Sequence, residues 1–287
     1  MQGNARIGIG LMLAGMLMFS LNDVMGKWLM GSYSVAQLMA VRSLSALVVL
    51  TPFLLRGGVA RVWHVDRPAL QALRAGLLAV EGIGFYAAVA YLPLADVVTY
   101  WLAAPIYVAA LAPLVLAERV PAPVWAAIAF GFAGVVLALA LEPSRESFTP
   151  AAGIALFGSA AFAGAMLLGR KLRGTPDTVM VGWQIVAALM ASAAMLAVDP
   201  EAWRPTSLRD LAALCLLGVV AMLAHILVNR SFKHAQAAVV MPFQYSLLVW
   251  AILFGALFFN DSPRPAMLLG AVLIVASGLF IARINRA

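Results

Sequence analysis

One cysteine, three histidines and twelve acidic residues are all this 287-residue chain carries of the side chains that hold most metals and cofactors. The single Cys215 excludes an internal disulfide and sits in an apolar run, where it reads as packing. The histidines are too scattered for a metal site, and no HExxH, GxSxG or phosphate-loop pattern occurs. Gly8-Ile9-Gly10 follows no strand and is not a dinucleotide fingerprint. The chain therefore reads as a non-enzyme with no metal and no cofactor. Charge is scarce too: 11% of residues, against about 25% in an average soluble domain. The net charge of +7 does not point to nucleic acid, because the basic residues cluster between apolar segments, as topology signals do.

What fills the chain is hydrophobic: 64% of residues, with a mean hydropathy of +0.98. Ten apolar stretches are legible, at about 7–28, 34–55, 69–91, 95–117, 123–141, 151–171, 178–198, 208–230, 236–258 and 265–283. Each is near the roughly 20 residues a helix needs to cross about 30 Å of hydrocarbon. The N-terminus has only Arg6 before its apolar run and no small-residue cleavage site, so it reads as a retained first span. Short loops leave no room for a soluble domain. If the termini share one side, that side holds Arg6, Arg56, Arg61, Arg67, Arg74, Arg119, Arg170, Lys171, Arg173, Arg230, Lys233, Arg283 and Arg286. The other side holds Lys27, Arg145, Arg204, Arg209 and Arg264, so thirteen against five puts both termini in the cytoplasm.

The fourth stretch organises the rest. ADVVTYWLAAPIYVAALAPLVLAERV, from Ala95 to Val120, carries Pro105 and Pro113 in its body. Each proline removes a backbone donor and clashes with the preceding turn, which a membrane bundle tolerates where neighbours re-satisfy the backbone. A related stretch, AQAAVVMPFQYSLLVWAILFGALFFND from Ala235, carries Pro242 about 140 residues later. GIGLMLAGMLMFS near the start is echoed by GIALFGSAAFAGA from Gly153, and Gly131 and Gly134 by Gly270 and Gly278. The chain thus divides into two five-helix units, 1–145 and 146–287. An odd number of spans per unit turns the second copy upside down, the architecture of alternating-access carriers.

These features resemble the drug/metabolite transporter superfamily, EamA type, on the five-plus-five repeat, the proline-bearing fourth span ending in Glu118 and the glycines of the fifth. TYWLAAPIY looks most like the bacterial aromatic amino acid exporter group. The resemblance implies an all-α integral membrane protein of ten helices in two inverted repeats, in the bacterial inner membrane. It implies a central cavity formed by spans 1, 3, 4, 6, 8 and 9, with amino acids as cargo. The second repeat departs from the pattern: Asn260-Asp261 stands where a second glutamate is expected.

Glu81 lies about 12 residues into the third span, roughly 18 Å deep and close to the bilayer centre. An ionisable group there is a functional hypothesis by default; the alternatives are a neutral, protonated glutamate and a structural pair with Arg42. In the resembling family the second span lies outside the cavity, which makes Arg42 structural. Asp23 and Lys27, four apart on the first span, read as a local ion pair, with Asn22 beside them able to face the cavity. His225 and Asn229 share a face of the eighth span. His225 is either a packing residue or a group that titrates in a cavity.

Trp28, Trp63, Trp125 and Trp203 fall near span ends and read as interface anchors. Tyr86, Tyr100, Trp101, Tyr107, Tyr245 and Trp250 fall inside spans, where polar ring edges prefer a partner or water. Rings suit an amino acid, whose ammonium can lie over an aromatic face, while Gln244, Ser246 and Asn229 are donors for its carboxylate. Ala127-x3-Gly131 and Ala160-x3-Gly164 read as close-packing contacts. The sequence thus reads as an exporter of aromatic and other bulky neutral amino acids, hinged near Pro105 and Pro242. Its partners are small-molecule cargo and membrane lipid, and ten helices can enclose the cavity as a monomer. Another metabolite or a drug-like cation is the alternative cargo, and an integral-membrane enzyme is the alternative class, disfavoured by the lack of a catalytic cluster at a membrane face.

Overall fold

Hydrocarbon offers a backbone no partner but itself, and this chain meets the requirement with helices. The structure, a computed structural model, describes residues 2–57, 65–91, 94–117, 120–139, 150–259 and 265–284, and no strand occurs among them. Its helices are α1 (Gln2–Met30), α2 (Val35–Gly57), α3 (Pro68–Val89), α4 (Leu94–Trp101), α5 (Ala104–Leu116) and α6 (Ala122–Leu139). They continue as α7 (Pro150–Lys171), α8 (Asp177–Val198), α9 (Leu208–His234), α10 (Ala237–Val240), α11 (Ser246–Phe259) and α12 (Pro265–Ile284). Seven helical segments among the described residues are long and apolar enough to cross a membrane. Ala104–Leu116, Ala122–Gly134 and Leu268–Ser277 are shorter apolar helices. The chain is therefore an all-helical, multi-pass membrane protein.

Local chemistry sets the ends. Pro68 opens α3, where its missing donor costs nothing, and the Ser207 hydroxyl caps α9 by accepting from the Asp210 amide at 3.1 Å. The two proline-bearing stretches are not continuous helices. In the fourth, α4 stops at Trp101, Leu102 and Ala103 form a turn, and α5 restarts with Pro105 in its first turn. In the ninth, α10 passes through a 3-10 turn, Met241–Tyr245, which contains Pro242, before α11. Pro113 remains inside α5.

Packing follows small residues, because apolar burial gives helices little reason to associate in lipid. α1 runs along α9, with a Cβ at Gly8 falling 3.0 Å from the Ala235 Cβ and one at Gly15 falling 2.8 Å from Val228. α3 likewise runs along α7, α2 along α8, and α6 along α12. In the last pair Ser277 donates to the Ala127 carbonyl at 2.6 Å, and Gly131 makes room for the Tyr245 ring. Gly164 lies against Leu77.

The two ends of the bundle are tied by polar contacts. The α1–α2 turn is bound to the α8–α9 connection: Ser34 donates to the Ala202 carbonyl at 2.8 Å, Gln37 to the Arg204 carbonyl at 2.8 Å, and Tyr33 to Asp210 at 2.8 Å. At the other end of α8, Asp177 pairs with Arg230 at 3.0 Å and Lys233 at 2.8 Å. Trp28, Trp125 and Trp203 are 50%, 38% and 52% exposed, as interface anchors should be. Trp63, Glu118, Asn260 and Asp261 lie outside the described residues.

Candidate functional site

A helix break frees carbonyls that need new partners. At the first break the Trp101 carbonyl accepts from Gln244 of the second break at 3.2 Å and from Ser159 of α7 at 3.4 Å. The two broken stretches are thus hydrogen-bonded to each other. The Trp101 ring seats on Gly158 of α7, where a Cβ would lie 2.5 Å from the indole, so a glycine is what lets the ring in. Placed there, its indole N–H donates to the Glu81 carboxylate at 2.8 Å, and its ring meets Phe85 edge-to-face at 5.1 Å.

Glu81 and Trp101 belong to the wall of an interior cavity of about 60 Å³. Its polar lining is Asn22 and Asp23 from α1, Arg42 from α2, Glu81 and Tyr86 from α3, His225 from α9 and Gln244. Its apolar lining is Met16, Phe19, Phe85, Val98, Phe162 and Leu247. Arg42 and Asn22 both donate to the Tyr86 hydroxyl at 3.0 Å, and the Arg42 guanidinium also lies 5.5 Å from that ring's centroid. Phe19 meets His225 edge-to-face at 4.8 Å. Two carboxyl groups and one guanidinium are therefore held among four phenyl and indole rings, in the interior of an apolar bundle.

The residues singled out from sequence divide. Glu81, Tyr86, Trp101, His225 and Gln244 come together around this cavity. Tyr100, Tyr107, Asn229, Tyr245 and Trp250 do not line it. Tyr100 and Tyr107 pack half-buried against the core, and Trp250 stacks on Phe254 at 6.3 Å. Tyr245 is fully buried and its hydroxyl donates to the Ile128 carbonyl of α6 at 3.3 Å. Asn229 accepts from Arg74 at 2.8 Å. Pro105 and Pro242 stand at the two breaks.

Arg42 corrects the sequence reading. Arg42 lines the cavity instead of lying outside it, so the second span joins spans 1, 3, 4, 6, 8 and 9 in forming the wall. Asp23 faces inward too, with Asn22 donating to it at 3.4 Å. Their helices are apolar on most sides, so no stripe in the sequence marks which face turns inward. An ionisable residue within a span was the available signal, and Arg42 carried it. Arg74, counted among the loop cations, lies inside α3 fully buried, donating to the Met180 carbonyl at 3.2 Å and to Asn229.

The EamA-like transporter family matches this chain twice, over residues 6–140 and 149–283. The S-adenosylmethionine uptake transporter of Rickettsia conorii is 29% identical over 277 residues, covering 96% of this chain and 92% of that protein. The riboflavin transporter of Rhizobium johnstonii is 30% identical over 95% of this chain and 89% of its own length. The pseudopaline exporter CntI of Pseudomonas aeruginosa is 26% identical over 97% of both. A solved crystal structure superposes with a TM-score of 0.81 over 99% of this chain and 98% of its own, at 17% identity, a likeness of fold.

Proposed function

This chain belongs to the EamA-like transporter family and is a small-molecule transporter of the drug/metabolite type, and on that premise we propose that it exports aromatic and other bulky neutral amino acids from the bacterial cytoplasm. The observation that carries the reading is the interior cavity in which Arg42, Glu81 and Asp23 stand among Phe19, Phe85, Trp101 and Phe162. A free amino acid needs an anion for its ammonium, a cation for its carboxylate and apolar walls for its side chain. Glu81 and Asp23 take the first role, Arg42 the second and the rings the third. The relatives' names span S-adenosylmethionine, riboflavin and pseudopaline, so membership leaves the cargo to be argued from these residues.

In this reading ten crossings form two inverted five-helix repeats, 1–145 and 146–287. The double family match supports it, and so does the helix pairing. α1 against α9 mirrors α7 against α3, while α2–α8 and α6–α12 each pair like with like. The excess of Lys and Arg on one side supports cytoplasmic termini in the inner membrane. A cavity of about 60 Å³ holds a few water-sized groups, so cargo enters only when the halves move apart. Pro105 and Pro242 are the hinges, because each stands where the helix ladder is already interrupted. Tyr100, Tyr107, Asn229, Tyr245 and Trp250 are substrate residues only in a state that turns them inward. The carrier acts as a monomer.

Uptake of a labelled amino acid panel into proteoliposomes tests this. Saturable phenylalanine flux, competed by other bulky amino acids, is the expected result, and no flux of any amino acid would sink it. A second reading, a cationic metabolite or drug, is favoured by one observation: two carboxyl groups face one guanidinium. Competition by organic cations but not by amino acids would select it.

A further inference from the structure

Behind the wall of the interior cavity lies a second one, of about 40 Å³, enclosed by α2, α3, α8 and α9. Its lining includes Met39, Ser43, Leu78, Gln184, Ala188 and Met222, and it shares Arg42, Glu81, Gly82 and His225 with the first. Those four residues thus border both cavities. The volume suits one ordered water, whose share of the liquid is about 30 Å³. In its lining, two buried polar atoms have no partner among the described residues: Oε1 of Gln184, which is 8% exposed, and Nδ1 of His225, 5% exposed. Buried polar atoms without partners are costly, and a water between them and Glu81 would satisfy all three.

We infer that the second cavity is the proton-access site of Glu81, separate from the cavity that holds cargo. This rests on the carrier reading above and adds what moves against the cargo. Arriving cargo brings an ammonium to Glu81; the protonated carboxyl gives its proton to a water held by Gln184 and His225, which passes it to bulk water on the side from which cargo arrived, and remains as a carboxylate paired with the ammonium. After cargo leaves on the other side, the carboxylate takes a proton from that side through the same water. One proton thus moves opposite to one cargo molecule, with no other reactant. The charged and titratable groups around Glu81 are Asp23 from α1, Arg42 from α2, Tyr86 on its own helix and His225 from α9, with Gln184 from α8 uncharged. α4, α7 and α11 contribute Trp101, Phe162 and Leu247, which carry no charge.

The test needs no cargo. Purified full-length protein in nanodiscs is given a rapid pH jump, and the carboxylic acid infrared band lost in Glu81→Gln is followed in time. In Gln184→Leu, which removes the acceptor, the band should respond at least tenfold more slowly than in the wild-type chain. Ala188→Leu, which narrows the compartment, should do the same. Gln184→Met, of similar volume, supplies the comparison if the leucine variant fails to fold. Equal rates in the wild-type chain and these variants would overturn the inference. So would slowing confined to Phe19→Trp, which obstructs the other cavity, or a Glu81 band that does not respond to pH at all. Phenylalanine flux is read separately, so a wrong cargo and a wrong proton route give different patterns.

Discussion

Glu81 and Arg74 lie seven residues apart on α3, two turns along one face of the same helix, yet their surroundings have nothing in common. Arg74 is sealed: it is fully buried, lines neither cavity and donates to the Met180 carbonyl of α8 and the Asn229 carboxamide of α9, while its Nε has no partner among the described residues. Among the described residues Glu81 has one side-chain donor, the Trp101 indole, and it borders two cavities. Burying an ionisable group in a membrane is expensive in both cases. Arg74 recovers part of that cost by joining three helices, which is a structural role. Glu81, with Arg42 and Asp23, faces space, which is what a binding role requires. Burial of a charge is thus a poor guide to function until the space it faces is known.

The contrast makes measurable claims. Arg42→Gln should reduce phenylalanine exchange about 100-fold, equivalent to about 3 kcal/mol of lost charge-assisted binding, with the melting temperature little changed. Arg74→Leu should behave in the opposite way. Leaving the Met180 carbonyl and the Asn229 side chain without donors should cost about 2–4 kcal/mol of stability, seen as a lower melting temperature and yield, while flux per folded molecule survives. If both variants lost flux and kept stability, the distinction between the two clusters would fail.

Finer substitutions probe how the cavity is furnished. Trp101→Phe keeps the ring and deletes the bond to Glu81, so half-saturation for cargo should rise about tenfold, the equivalent of 1.4 kcal/mol. Gly26→Ala places a Cβ 2.6 Å from the Tyr86 ring and must displace it, with its Arg42 and Asn22 bonds. A loss of a few fold in flux, checked by the same exchange assay, is expected. Tyr245→Phe removes one hydrogen bond to the Ile128 carbonyl, at about 1 kcal/mol, and should shift melting slightly and exchange not at all.

Much of this was legible beforehand, and the reasons differ by residue. Pro105 and Pro242 stand at the two interruptions, because a missing donor weakens the ladder locally, but Pro52 and Pro113 stay inside α2 and α5, so the surroundings decide which proline breaks a helix. Glu81 stood out because its depth follows from counting residues along a span. Arg74 misled because a cation near a span end reads as a loop charge, and the depth at which α3 sits against α8 and α9 is a packing outcome. Tyr100 and Trp101 are neighbours in the chain and equally plausible on paper. A helix turns about 100° per residue, so one seats on Gly158 and reaches Glu81 while the other packs on the flank.

By itself the sequence determined that this chain crosses a membrane in helices, that two of them carry prolines at matching places, and that Glu81 lies deep in a span. All of these follow from composition, spacing and single-residue backbone chemistry. Rotation of each helix about its axis was decided by the tertiary structure, and with it the inward turn of Asp23 and Arg42, the sealing of Arg74 and the meeting of Trp101 with Gln244. A helix that is apolar nearly all round carries no hydrophobic stripe to orient it. Its facing is settled by where glycines allow close approach and where buried polar atoms find partners, and both depend on residues more than a hundred positions away.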